Sequence, residues 1–360
     1  MTLVDALLAG PRGRDFLLEV ALASEREDGL LFQATWRFGD YLERNLRKFG
    51  IARRRSAHAR AMTVAPTLER VPLVKLTPGL VYDALERTVS SATYWQPPMA
   101  REVFLSASPL RPGLRRIARH VAVSTVASGW SEMFRPDRHT SVSWTRPNLI
   151  APPPAVVQAL ESWREEAQTE SLWWSRPPRT IIATTGELAN GSPGALRFVE
   201  DGFGWDTGWV YAATASTGAT VFTIDGPAAW AKLCRRFPLD VTASKGKDWR
   251  LATGYPHDWV MPDFVQVAQH YDALHLSVRG YFAAAGRVIP VAEGRAGMLA
   301  GWDPGQTFWF SDAVELAETP VVWRNHGDSV VGGYDWRRQT GSQDAPARGG
   351  FSGQGSTPWP

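Results

Sequence analysis

The spacing of apolar residues changes character part-way along this chain, and that change constrains the fold more than any single motif. Over the first 150 residues apolar side chains recur every three or four positions. Leu31, Ala34, Phe38, Leu42, Leu46 and Phe49 predict an amphipathic helix over 30–49. Leu3, Leu7 and Leu8, then Phe16, Leu17, Val20 and Leu22, predict two short helices parted by the Gly-Pro-Arg-Gly turn at 10–13. Further helices are expected over 80–89, 114–126 and 156–167. From residue 180 β-branched runs take over, and 180–185, 209–215 and 220–224 read as strands, the last two joined at Ser-Thr-Gly. A helix over 228–237 has Asp225 as its expected cap and Pro227 near its first position; a second, over 263–271, starts at Asp263. Strands are then expected over 274–282, 287–291, 297–302 and 307–310.

The expected class is therefore α+β. A mostly helical domain (1–150) is followed by a bridging helix and strand (151–194). A Trp-rich domain (195–336) then pairs a mixed or antiparallel sheet with two short helices. The polar, Gly- and Pro-rich tail (337–360) is expected to be disordered.

Charge and cysteine content exclude several function classes. Lys and Arg number 39 against 36 acids, and a net charge of only +3 gives no whole-chain argument for nucleic acid as a partner. The exception is local. Eight basic residues and two acids fall within 36–60, a stretch that reads first as a solvated helix face and second as a contact for an anionic partner. Cys234 is the single cysteine, so no intrachain disulfide framework or multi-cysteine zinc site can form. The first twenty residues carry Asp5, Arg12, Arg14, Asp15 and Glu19, unlike a signal peptide, and no run of about 18 apolar residues predicts a membrane span. A cytoplasmic protein is the expectation.

Chemistry-capable side chains concentrate in 221–310, which holds three of the seven histidines and five of the seventeen tryptophans. If 274–282 is a strand, alternation places His275, Ser277 and Arg279 on one face, where they could bind an anion and move a proton. Tyr281, Trp302 and Trp309 are expected to help wall a pocket for a planar ring, with Asp303 nearby as an acid or base. His270, Asp272 and His275 offer a metal triad, although a helix end followed by a strand gives them poor geometry to converge. There is no phosphate-binding Gly-x-x-x-x-Gly-Lys-Ser/Thr loop, no Gly-x-Gly-x-x-Gly, no Gly-x-Ser-x-Gly and no kinase signature. The motifs thus assign no cofactor and leave open whether the chain is an enzyme.

The segments 225–239, 263–281 and 301–310 together resemble a Trp-rich module that recurs in GC-rich bacterial proteins of unassigned function. Their order of elements is also distantly similar to ADP-ribosyltransferase folds. That resemblance implies an NAD-using site with a His or Arg on the first core strand and an acid at the start of the last. The corresponding positions here carry Tyr211, Thr223 and Gln306. The sequence therefore favours a binding or regulatory protein that holds a small planar or anionic ligand, or a partner protein. ADP-ribosyl transfer and metal-dependent hydrolysis are the alternatives.

Overall fold

The computed structural model describes residues 1–25, 29–33, 35, 51–131, 134–147, 154–200, 202, 204–256, 258–327 and 333–339. Most of the expected helix at 30–49, the basic positions 37–50 and the tail from 340 lie outside the described residues.

Among the described residues, six helices form one layer: α1 (Leu3–Ala9), α2 (Pro11–Ser24), α3 (Ile51–Arg70), α4 (Pro78–Ser90), α5 (Ala100–Leu105) and α6 (Arg111–Ala122). The break expected at 10–13 falls on Gly10 alone, and Pro11 and Gly13, expected as breakers, lie inside the second helix. Gly10 is extended and Pro11 takes the first position of α2, where its missing N–H costs nothing. Helix α2 is the central rod of this layer, although Arg12, Asp15 and Glu19 are buried along it. Helix α5 makes that tolerable: Arg101 pairs with both Asp15 and Glu19, and Glu102 pairs with Arg12. Thr77 caps α4, its Oγ1 accepting from Leu80 N at 3.3 Å.

The remaining helices are α7 (Val156–Thr169), α8 (Pro227–Arg236), α9 (Thr242–Thr253), α10 (Phe264–Val267) and α11 (Val278–Ala284). The strands are β1 (His139–Ser143), β2 (Ala183–Gly186), β3 (Thr207–Ala215), β4 (Val221–Ile224), β5 (Pro238–Asp240), β6 (Asp258–Pro262), β7 (Ala273–Leu276), β8 (Ile289–Ala292), β9 (Arg295–Gly297), β10 (Gln306–Trp309), β11 (Val314–Leu316), β12 (Val321–Asn325) and β13 (Trp336–Arg338). The large sheet runs β13-β12-β3-β1-β2-β10-β7-β4, with β11 also on β3; a small sheet runs β5-β6-β9-β8. Both are mixed, since β4 lies parallel to β7 and β6 parallel to β9. The class is α+β, as expected.

The large sheet takes β1 from the segment read as a helical domain and β2 from the bridging segment; its other strands come from beyond residue 195. One buried apolar cluster extends from Leu7 to Phe310. Strands β3 and β4 are neighbours in sequence but do not pair. The chain crosses the sheet between them, and β4 joins β7.

Three local expectations are corrected. The predicted strand 274–282 is β7 followed by α11. Ser277 caps that helix, its Oγ accepting from Gly280 N at 3.0 Å, so strand alternation stops at Leu276. The predicted helix 263–271 is only α10. Asp263 caps it as expected, with Val265 N at 3.1 Å from Oδ1, but the helix ends after one turn. Pro227 begins α8 as predicted, yet the cap position is Gly226; Asp225 instead pairs with Arg279 at 2.6 Å.

Candidate functional site

A cavity of about 630 Å³ opens where the large sheet meets the helical layer. Its floor is made of strand ends: His139 at the start of β1, Thr185 and Gly186 at the end of β2, and His275 near the end of β7. Its roof is α4, through Tyr82 and Leu85, and the 3₁₀ turn Thr125–Ser131, through Trp130. The two layers are tied beside it. Tyr82 Oη accepts from Ala189 N at 3.0 Å, and Arg197 reaches Glu86 at 2.8 Å and Asp83 at 2.5 Å on α4. These bonds fix the distance between roof and floor.

Register explains how the histidines are held. Thr223, His275, Thr307 and Thr184 lie side by side on β4, β7, β10 and β2. Laterally paired residues project to the same face of a sheet, so a row of polar groups crosses it. His275 Nδ1 lies 2.8 Å from Thr307 Oγ1, and His139 Nδ1 lies 3.2 Å from Thr184 Oγ1. Thr184 Oγ1 also accepts from Trp309 Nε1 at 2.9 Å. The Phe134 ring packs over the row, 4.7 Å from the ring of His139, 5.7 Å from that of His275 and 5.5 Å from that of Trp309.

Both imidazoles are buried, and burial disfavours their charged forms. It pushes His275 down to about 3, with the neighbouring His139 adding to the shift. It pushes His139 down to about 4, against the Arg135 backbone and Asp137. At neutral pH the cleft therefore presents two uncharged rings. Charge sits at its mouth, where Arg135 pairs with Asp137 at 3.4 Å and Arg138 and Glu187 are exposed.

Arg138 has φ +56°, alone among the described non-glycine residues in adopting positive φ. The left-handed turn brings the chain into β1 and lets the Arg138 carbonyl accept from Glu187 N at 3.0 Å. Strain of this kind is concentrated at binding and catalytic sites in proteins generally. Arg138→Gly is expected to be stabilising by about 0.5 kcal/mol, because relief of the left-handed penalty slightly exceeds the chain entropy glycine adds. Arg138→Val is expected to lose about 1–2 kcal/mol at the same φ. Urea titration of both variants checks this; a glycine variant weaker than the valine variant would refute it.

The residues expected at a site divide among several places. His275 and Ser277 line the cleft, Ser277 as the α11 cap. Asp303 lines a different cavity, and burial pushes its carboxyl up to about 6. Arg279 is half-buried away from the cleft, paired with Asp225 and donating to the Met1 carbonyl. Tyr281, Trp302 and Trp309 are core residues. Tyr281 donates to Glu200 at 2.8 Å, Trp302 stands edge-on to Trp230, Phe264 and Phe308, and Trp309 donates to Thr184. All five tryptophans of 221–310 are essentially fully buried, so the aromatic wall expected there is packing.

His270, Asp272 and His275 do not come together. His270 packs on Phe237, while Asp272 accepts from Thr220 N and Ser311 Oγ, both at 2.7 Å. Among the described residues no group of three His, Cys, Asp or Glu side chains is placed to hold a metal ion, and no helix is long and apolar enough to cross a membrane. Cys234 is a buried free thiol, pushed above its ordinary range by burial.

Sequence reasoning missed His139, Phe134 and Arg138. The available signal was a histidine heading the β-branched run 139–143, where alternation sets His139 with Ser141 and Ser143. No protein-family model matches the chain, and neither a curated protein nor a solved structure does so.

Proposed function

We propose that this is a cytoplasmic binding or regulatory protein whose ligand is a small planar molecule with one anionic group, held in the His139/His275 cleft. The observation that supports this reading best is the pair of uncharged imidazoles, each pinned through Nδ1 by a threonine hydroxyl and facing a cavity of about 630 Å³. That size suits a small metabolite. Tyr82, Trp130, Phe134 and Phe198 supply apolar walls for a ring. With Arg135 beside Asp137, Arg138 is the guanidinium left at the mouth for an anion.

The same shifts weigh against acid–base catalysis. An effective general base titrates near the working pH, and groups at about 3 and 4 lie far below it. Such imidazoles are better suited to hydrogen-bonding a ligand than to taking a proton from it.

Thermal unfolding in the presence of NAD, adenine nucleotides and aromatic carboxylates tests the proposal. A ligand at a hundred times its Kd stabilises the folded state by about 2.7 kcal/mol. The expected result is a rise in Tm with at least one planar anion, lost in Arg138→Gly and in His275→Leu. A flat panel with folded wild-type protein would overturn the small-ligand reading in favour of a protein partner.

A further inference from the structure

A second cavity, of about 600 Å³, lies where the large sheet splits. Strands β1 and β2 pair only through His139↔Gly186 and Thr140↔Thr185. Beyond Thr140, β1 stays with β3, while β2 runs back along β10. The wedge between them is the cavity. It shares only Thr185 with the walls of the histidine cleft.

Three of the polar groups lining the wedge, which also include Tyr211 and the buried Arg176 beside Asp303, have hydrogen-bonding capacity left over. Asp303 accepts from Glu200 N at 2.8 Å through Oδ1, and its Oδ2 has no hydrogen-bond partner among the described residues. Gln306 Oε1 is buried without a hydrogen-bond partner among the described residues. Arg179 is exposed and makes no hydrogen bond or ion pair among the described residues, yet it lies close enough to Asp303 to favour the charged carboxylate. Asp303 and Gln306 are held together by the turn 303–306, where Gly305 has φ +79°. The apolar walls include Phe308 and the Trp144–Trp205 pair, stacked at 4.5 Å with 8° between the rings.

We propose that this wedge binds a free aromatic α-amino acid as its zwitterion. The ammonium sits against Asp303 Oδ2 and Gln306 Oε1, the carboxylate meets Arg179, and the ring lies against Phe308 and the tryptophan pair. The donor and acceptor inventory favours this class. An ammonium has three donors and no acceptor, which suits two neighbouring acceptor oxygens. A guanidinium matches a carboxylate. A simple anion would satisfy Arg179 but lie against the Asp303 carboxylate and leave Gln306 Oε1 unmet. A simple amine would leave Arg179 unused.

Isothermal titration of the full chain with L-tryptophan and L-phenylalanine at millimolar concentration tests the proposal. N-acetyl-L-tryptophan lacks the ammonium, L-tryptophanamide lacks the carboxylate, and adenosine monophosphate supplies an anion on a planar ring. Both free amino acids are expected to bind in a way that Asp303→Asn weakens, and none of the three comparison compounds is expected to show binding that depends on Asp303 or Arg179. Asp303→Asn keeps an acceptor for Glu200 N, and Arg179→Ala changes an exposed side chain; each is expected to weaken binding by about tenfold or more. His275→Leu, in the other cavity, is expected to leave it unchanged. The proposal is overturned if neither amino acid binds, if Asp303→Asn binds as wild type does, if His275→Leu abolishes binding, or if adenosine monophosphate binds at Arg179 in their place.

Discussion

Replacing Gly280 with alanine is expected to cost more than about 4 kcal/mol, while the same replacement at Gly79 is expected to stabilise the protein by about 0.5–1 kcal/mol. Both glycines lie in the first turn of a helix, Gly79 in α4 and Gly280 in α11. Helix propensity therefore favours alanine in each. Space decides the difference. A Cβ at Gly79 would meet nothing within 4 Å, whereas one at Gly280 would stand 2.1 Å from the Ile224 carbonyl oxygen and 3.0 Å from its carbon. Those are backbone atoms at the end of β4, so the clash cannot be relieved by rotating a side chain. Either α11 lifts or β4 leaves β7, and both movements disturb Ser277 and His275. Urea unfolding followed by circular dichroism compares the two variants. If Gly280→Ala unfolds at the wild-type midpoint, the packing of α11 on β4 is wrong, and with it the floor of the cleft.

Gly280 also shows why part of this fold was legible in the sequence and part was not. Local chemistry reads well: Pro227 starts a helix, Asp263 caps one, and the runs read as strands at 180–185 and 209–215 overlap β2 and β3. Each of those features depends on neighbours within a few residues. The segment after His275 misreads because Leu, Ser and Val fit either period, and the choice falls to the Ser277 cap and to the approach of Gly280 to Ile224. The tryptophans mislead for another reason. A pocket wall and a core demand the same residue type, and only tertiary packing puts Trp302 against Trp230 and Phe264 rather than a ligand. Of the expected site, His275 and Ser277 do reach a common cavity, but its other half is non-local. His139 joins them through β1, β2 and β10, pairings over long sequence separations that periodicity does not encode. Glu200 had no sequence signal at all.

Glu200 carries the second large effect. Its carboxyl is buried between the helical layer and the sheet, where Oε1 accepts from Tyr94 Oη at 2.5 Å and Tyr281 Oη at 2.8 Å while Oε2 has no partner among the described residues. Burial pushes its carboxyl up from the ordinary 4.5 to about 8; Asp303 adds to the shift, and the two tyrosines and Arg12 oppose it. A carboxyl raised on folding stabilises fully below its unfolded value and loses that contribution as pH rises towards its folded value. Between 4.5 and about 8 the unfolded chain has released the proton that the folded chain retains. The loss is about 1.4 kcal/mol per pH unit, roughly 5 kcal/mol over the window. His139 and His275 act in the opposite direction, but only below their unfolded value of 6.5, and Asp303 titrates by about 6. From 6.5 to 8 Glu200 is thus the member of this group still titrating, and wild-type stability is expected to fall across that interval. Glu200→Gln keeps an oxygen for both tyrosines and removes the titration. The two proteins are expected to be of similar stability at pH 5 and to diverge steadily, with the glutamine variant the more stable at pH 8. Denaturant unfolding of both across that range decides it: parallel pH profiles would mean that Glu200 is already ionised in the folded protein, with its charge held by Arg12 and the two phenols.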